Sequence, residues 1–251
     1  MSRLHPASLD SSSPSVCLIV PGGAGAQRSR TLTAVAAQSR PVDEAAAPSA
    51  AGQGAGLPGG LELRSSGEAT WLWLLEPGAV PSPTALEELL APLRSPGHLP
   101  APALVASRLV DGAGQFERSL APWPRLTEKD TAVTAAEHGL VSIRAARSGS
   151  LLVARKAVEA YGLPSARYQA WGQDIEWTAR MLKAESGYLA PRSTVMMPAH
   201  GALLEASSGR GFRAWHSAAG MLLRGAWSGE ERAWYALALA RELRSPDRST
   251  P

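Results

Sequence analysis

The run Trp71-Leu-Trp-Leu-Leu75, followed at once by Glu76-Pro77-Gly78, constrains this chain more than any other segment. Five consecutive apolar residues closed by a turn sequence have the length of a strand, and the lack of alternation marks a strand buried on both faces. Val16–Val20 repeats the pattern and runs into Pro21-Gly-Gly, while Ala103–Leu109 and Ser150–Ala154 are two more strand-like runs. Between them lie helical patterns: Gln27–Gln38 ending before Pro41, Pro83–Leu93 with a proline in its first turn, and Arg155–Tyr161 stopped by Gly162. Asp174–Ala184 is a helix with Ile175, Thr178, Ala179, Met181 and Leu182 along one side, and Gly187–Ala190 and Thr194–Met197 read as two further strands. Arg213–Arg224 and Glu230–Leu243 form a terminal helical pair. Strands alternating with helices predict an α/β class with a mainly parallel central sheet flanked by helices. Ala45–Gly60 is Ala, Gly, Pro and Ser where a second strand would be expected, and Ala121–Glu137 is a polar segment long enough to be a functional loop.

At 251 residues the chain can bury one sizeable core. The expected organisation is an N-terminal segment over 1–15, a domain over 16–205, a helical extension over 206–245 and a tail over 246–251. Hydrophobic residues at 45% and charged residues at 19% describe a globular chain rather than a disordered one. A net charge of +3, with no run of five like charges, argues against nucleic acid as a partner. The one cysteine, Cys17, cannot cross-link within the chain, which fits a reducing compartment. Residues 1–15 lack the apolar centre of a signal peptide, and Trp71–Leu75 is far short of the roughly 20 residues a membrane span needs, so the expectation is cytoplasmic.

Four places could carry chemistry. Pro21-Gly-Gly-Ala-Gly-Ala26, between a strand and a helix, could admit a phosphate to the backbone, although Arg28 stands where a dinucleotide fingerprint needs its third glycine. Glu76 closes a buried strand at its carboxyl end, where open α/β sheets bind ligands, and its carboxylate could hold a divalent cation or simply cap the turn. Asp174 and Glu176 begin a helix, where acids complement the helix dipole. The flanking Trp171, Gly172 and Trp177 add the look of a pocket wall, and an aspartate there could take a proton from a hydroxyl nucleophile. His200 follows an apolar run, and a structural histidine is the commoner role in that setting. No G-x-S-x-G elbow, P-loop, H-E-x-x-H or zinc-type spacing occurs. Eight tryptophans lean towards a carbohydrate ligand, though core packing accounts for most of them.

In this order the pieces resemble the family 2 glycosyltransferases of the GT-A fold, especially rhamnosyl- and galactofuranosyl-transferase-like members, over roughly Val16 to His200. Thr31-Leu-Thr-Ala-Val-Ala-Ala-Gln-Ser-Arg-Pro-Val-Asp-Glu44 is similar to a helix ending in "Q-t-r-P-x-x-E". Trp71–Pro81 resembles the "W-x-x-L-L-D-x-D-A-x-P" strand that carries a metal-binding acidic pair. Gly149–Pro164 looks like "G-x-L-x-R-R-x-x-x-x-x-G-x-P", and Tyr168–Trp177 like "F-x-x-W-G-D-D-x-E-Y". Gly187-Tyr188 through His200 is similar to "G-Y-x-x-x-x-x-P-x-x-x-x-x-H".

The resemblance implies inverting transfer of a sugar from a nucleotide-sugar donor to a hydroxyl of a cell-envelope glycan or lipid-linked acceptor. It makes Asp174 the base and puts Pro21, Gly22, Gly23 and Glu76 on the donor side. Trp171, Gly172, Gln173 and Glu176 would then face the acceptor, with Glu76 and His200 as ligands of Mg²⁺ or Mn²⁺. Gln173 stands where the family often has an acid, and three donor-side features also depart from it. Gly78 replaces the second acid of the pair, Pro21-Gly-Gly replaces a "T-Y-N-R"-like loop, and no "V-D-N-G-S" phrase occurs within Ala45–Leu63. They define the alternative, a catalytically silent GT-A domain acting as a binding or scaffold partner. The terminal helices, with Arg, Trp and Leu together, could rest on a membrane surface, pack on the core or meet a second subunit.

Overall fold

The computed structural model describes residues 14–21, 25–45, 68–94, 99–114, 123–124, 139–165 and 173–198, with single helical positions at 229, 232, 233 and 236. Among these, nine strands form one sheet: β1 (Val16–Ile19), β2 (Glu44–Ala45), β3 (Trp71–Leu75), β4 (Val80–Pro81), β5 (Pro102–Val110), β6 (Trp123–Pro124), β7 (Val141–Ala145), β8 (Ser150–Ala154) and β9 (Ser186–Met196). The helices are α1 (Gly25–Ala36), α2 (Ala85–Leu90) followed by a 3₁₀ turn Ala91–Arg94, α3 (Arg155–Tyr161) and α4 (Gln173–Leu182). The strand order is β2-β1-β3-β8-β5-β9-β7-β6, with β4 on β9. No helix of the described residues is long and apolar enough to cross a membrane.

The sheet is mixed, which corrects the expectation of a mainly parallel one. Only β1–β2, β1–β3 and β5–β9 pair in parallel, while β8 enters antiparallel between β3 and β5. All five residues of β8 are buried, as are those of β3. Continuous apolarity reports cover on both faces and carries no information about the direction of the neighbouring strand. β7 escapes the apolar pattern altogether, because Ser142 and Arg144 interrupt it; both are nevertheless buried.

The predicted pair of strands around Pro191 is one strand. Ser107 pairs with Ala190 and Arg108 with Thr194, so Pro191-Arg192-Ser193 bulges out of register. Proline cannot donate to a ladder, and a bulge is where a sheet accommodates it. The bulge turns Ser193 inward, where it is fully buried.

The core holds Trp73, Trp177 and Tyr188, each with a polar tip that finds a partner. Trp73 Nε1 donates to Ser150 Oγ (3.2 Å), Trp177 Nε1 to the Gly162 carbonyl (2.7 Å) and the Tyr188 hydroxyl to the Pro100 carbonyl (3.2 Å). Trp71, Trp73 and Trp177 are therefore packing residues, and Trp177 does not line a pocket. Apart from the helical positions 229, 232, 233 and 236, the 206–251 stretch with its predicted helical pair lies outside the described residues, as does all but Trp123–Pro124 of the polar segment.

Candidate functional site

β1 and β3 run side by side, with Ile19 opposite Leu74. The residues two further on, Pro21 and Glu76, leave the sheet together at its carboxyl edge, where open α/β sheets bind ligands. Glu76-Pro77-Gly78-Ala79 is a turn closed by the Ala79 N–H on the Glu76 carbonyl (3.0 Å). Proline at its second position and a glycine with φ +90° at its third make it type II. Helix α1 is tied down on the turn: the Gly78 N–H donates to the Gln27 carbonyl (3.1 Å) and to Thr31 Oγ1 (2.9 Å), with Thr31 fully buried.

Asp174 is the second residue of α4. The segment between β7 and β8 lies along that helix in the opposite sense. Arg144 donates to the Ala179 carbonyl, and the Ala146 N–H donates to the Thr178 hydroxyl (3.0 Å), whose one proton is shared between the carbonyls of Asp174 (2.9 Å) and Ala146 (3.0 Å). Ser148 meets Asp174 one turn earlier on the helix. Gly149 then passes so close to β5 that a Cβ there would lie 2.6 Å from Leu109 Cδ1, and its carbonyl accepts the Glu76 N–H (3.2 Å). A side chain there would have to push back the ends of Leu109 and Met197.

Ser148 is where the two predicted acids meet. Its peptide N–H donates to Asp174 Oδ2 (2.9 Å), and its hydroxyl stands 2.7 Å from Glu76 Oε1 and 3.2 Å from Asp174 Oδ2. A serine hydroxyl has one proton. The shorter contact gives it mainly to Glu76, with Asp174 sharing it at the longer distance. Asp174 Oδ1 accepts the Ile175 N–H (2.9 Å). Two carboxylates are thus held within hydrogen-bond reach of a single hydroxyl, although they are far apart in the sequence. Ser148 stands one residue ahead of the family-like segment, which begins at Gly149. A Ser-Gly pair just ahead of a buried strand was the available signal.

The other predicted residues have separate fates. Gln173 donates through Nε2 to the Ser165 carbonyl (3.0 Å). Glu176 pairs with Arg180 at 3.0 Å, and the same guanidinium reaches the carbonyls of Tyr161 and Leu163, fastening α4 to the end of α3. Both side chains thus have local structural partners, and neither is joined to the Glu76–Ser148–Asp174 contact. Gly22, Gly23, Trp171, Gly172 and His200 lie outside the described residues. A small cleft of about 120 Å³, with Pro92, Leu99, Leu140 and Arg192 in its lining, shares no residue with the site.

The resemblance implies a divalent cation, and Glu76 is suited to supply one hard oxygen ligand. Mg²⁺ keeps several waters and substrate phosphates, so one or two protein carboxylates can suffice. A second carboxylate at position 78 would be strained, because the backbone there has φ +90° and a Cβ would stand 3.1 Å from Pro198 Cγ. Among the described residues no group of three or more His, Cys, Asp or Glu converges on one point.

No family model matches the chain, and no curated protein matches it. Among solved structures the chain is similar to the crystal structure of GalNAc-T7 with UDP, GalNAc and Mn²⁺, at 15% identity and a TM-score of 0.48. The likeness covers 74% of this chain and 43% of that one, so the chain spans less than half the neighbour's length.

Proposed function

We propose that the chain is a glycosyltransferase of the GT-A type, family 2, moving a sugar from a nucleotide-diphosphate donor to a hydroxyl acceptor with inversion. The observation that carries the reading is the meeting of Glu76 and Asp174 on Ser148 at the carboxyl edge of β3. The two acids come from the two segments that resemble the donor and acceptor motifs of that family. In this reading Asp174 is the base. Its Oδ2 is occupied by Ser148 and its Oδ1 by one N–H, so Oδ1 keeps a lone pair for the acceptor hydroxyl proton. The deprotonated oxygen attacks the anomeric carbon from the face opposite the leaving nucleotide diphosphate, which a single displacement requires. Pro21 and the glycines after it would border the donor, and Trp171, Gly172, Gln173 and Glu176 the acceptor. Glu76, with His200, would hold Mg²⁺ or Mn²⁺, which supplies positive charge to the departing diphosphate when bound. We place the acceptor in a cell-envelope glycan or a lipid-linked precursor at the cytoplasmic face of the membrane, with the 206–245 extension as the membrane or subunit contact.

The test is a panel of nucleotide sugars assayed for transfer and slow hydrolysis, with and without EDTA. Wild-type turnover that disappears in Asp174→Asn, with the thermal midpoint unchanged, supports the reading. Full activity in that variant removes Asp174 as base, and turnover indifferent to EDTA removes the cation role of Glu76 and His200. The turn that would strain a carboxylate at position 78 favours a second reading, a silent GT-A domain used as a binding partner. Calorimetry showing no UDP binding with Mn²⁺ present, together with no turnover, would select it.

A further inference from the structure

We infer that Ser148 is the positioning residue that holds both carboxylates of the site in register, an inference that rests on the transferase reading of Asp174. Three observations carry it. Ser148 offers two donors to this small space, its peptide N–H and its hydroxyl, and both end on the acids. It is also mounted rigidly on both sides. The Ala146 N–H donates to the hydroxyl of the fully buried Thr178, and the Gly149 carbonyl accepts the Glu76 N–H. The hydroxyl is therefore a fixed donor, and little of its binding strength is spent on ordering a loop.

The third observation is electrostatic. Two carboxylates that share one hydroxyl repel each other when both are ionised, and a donor aimed between them offsets that repulsion. The peptide N–H would still hold Asp174 Oδ2 without the side chain. The hydroxyl alone reaches across to Glu76 Oε1. Its loss should therefore let Glu76 swing away from Asp174 and disturb the base second.

Loss of the hydroxyl should release Glu76, the donor-side acid, and slacken Asp174, so it should weaken donor binding and lower kcat together; a base displaced by about 1 Å costs on the order of 10²-fold in rate. Wild type, Ser148→Ala, Ser148→Thr, Asp174→Asn and the Ser148→Ala/Asp174→Asn double variant are compared by nucleotide-sugar turnover, thermal midpoint and crystal structure. Ser148→Ala should lose roughly 10- to 100-fold in kcat and raise donor KM as well. Ser148→Thr, which keeps the hydroxyl, should recover most of it. The double variant should be no slower than Asp174→Asn alone, because residues that act as a unit are not additive. In the crystal, Ser148→Ala should show Glu76 turned away from Asp174, and Ser148→Thr should show both in place.

Wild-type kcat in Ser148→Ala, or a loss confined to KM, overturns the proposal. So does a Ser148→Ala crystal structure with both carboxylates unmoved, whatever the turnover. A wild type that turns over no nucleotide sugar refutes the transferase reading instead, and the crystal comparison then decides whether Ser148 holds the two acids.

Discussion

A chain of buried hydroxyls crosses the middle of the sheet, and its direction can be worked out. Trp73 Nε1 on β3 donates to Ser150 Oγ on β8 (3.2 Å). Ser150 Oγ lies 2.7 Å from Ser107 Oγ on β5, which lies 2.8 Å from Ser193 Oγ in the bulge of β9. The Ser193 hydroxyl donates to the Ala85 carbonyl at the start of α2 (2.9 Å). Since Ser193 spends its proton on Ala85, it must accept from Ser107, and Ser107 must accept from Ser150. Every donor is used once, in one direction. The three serines are all 1% exposed or less, so water cannot replace a missing partner cheaply.

Ser193→Ala should therefore strand the Ser107 hydroxyl proton, at about 1–3 kcal/mol for one buried unsatisfied donor. Adding Ser107→Ala moves the stranded donor to Ser150, and adding Ser150→Ala moves it to Trp73. The single, double and triple variants should then cost similar amounts, each with one stranded donor. Independent losses would instead accumulate to roughly three times the single value. Urea unfolding reads this directly, as midpoints that shift once and then hold while the slope stays constant. In thermal melts, about 2–4 °C is expected per kcal/mol for a chain of this size. A stepwise, additive fall through the series would refute the one-way chain, and a neutral Ser193→Ala would refute the claim that its members are buried without alternatives.

Two further outcomes follow from the same geometry. Gly78→Asp should destabilise by about 1–3 kcal/mol, and Gly78→Ala by nearly as much, because a positive φ and a Cβ 3.1 Å from Pro198 Cγ act on any side chain; a neutral Gly78→Asp in denaturant melts would refute the turn assignment. Tyr161, partly buried and hydrogen-bonded to the Glu185 carboxylate (2.9 Å), is pushed up to about 12. A folded value above the unfolded one means a stabilising effect complete below about pH 10 and lost as pH rises through 12. Difference absorbance between wild type and Tyr161→Phe during alkaline titration should show that shift, reduced in Glu185→Gln; an ordinary phenol titration would refute it.

Much of the architecture was legible because burial writes itself into consecutive residues. Val16–Ile19, Trp71–Leu75 and Ser150–Ala154 are apolar throughout and were read nearly to the residue, and Gly162 ends α3 where the sequence places it. β7 has no apolar signature because Ser142 and Arg144 are buried in it, and no local pattern announces that Arg144 finds its partner, the Ala179 carbonyl, on another element. Asp174 and Glu176 look alike as acids at a helix start. Only the fold separates them, by putting Ser148 beside one and Arg180 beside the other.

The sequence by itself determined which segments would be buried, that the chain belongs to the α/β class, and which acids stood at strand and helix ends. Those properties depend on composition and spacing within a few residues. Tertiary structure decided the direction in which β8 enters the sheet, the bulge that joins two apparent strands into β9, and the meeting of Glu76 and Asp174 on Ser148. Each of these depends on pairing across long stretches of chain: Ser148 reaches over 72 residues to Glu76 and over 26 to Asp174. A hydroxyl says nothing in sequence about which carboxylates it will serve. That choice is made by the packing of α4 and the close passage of Gly149 against β5.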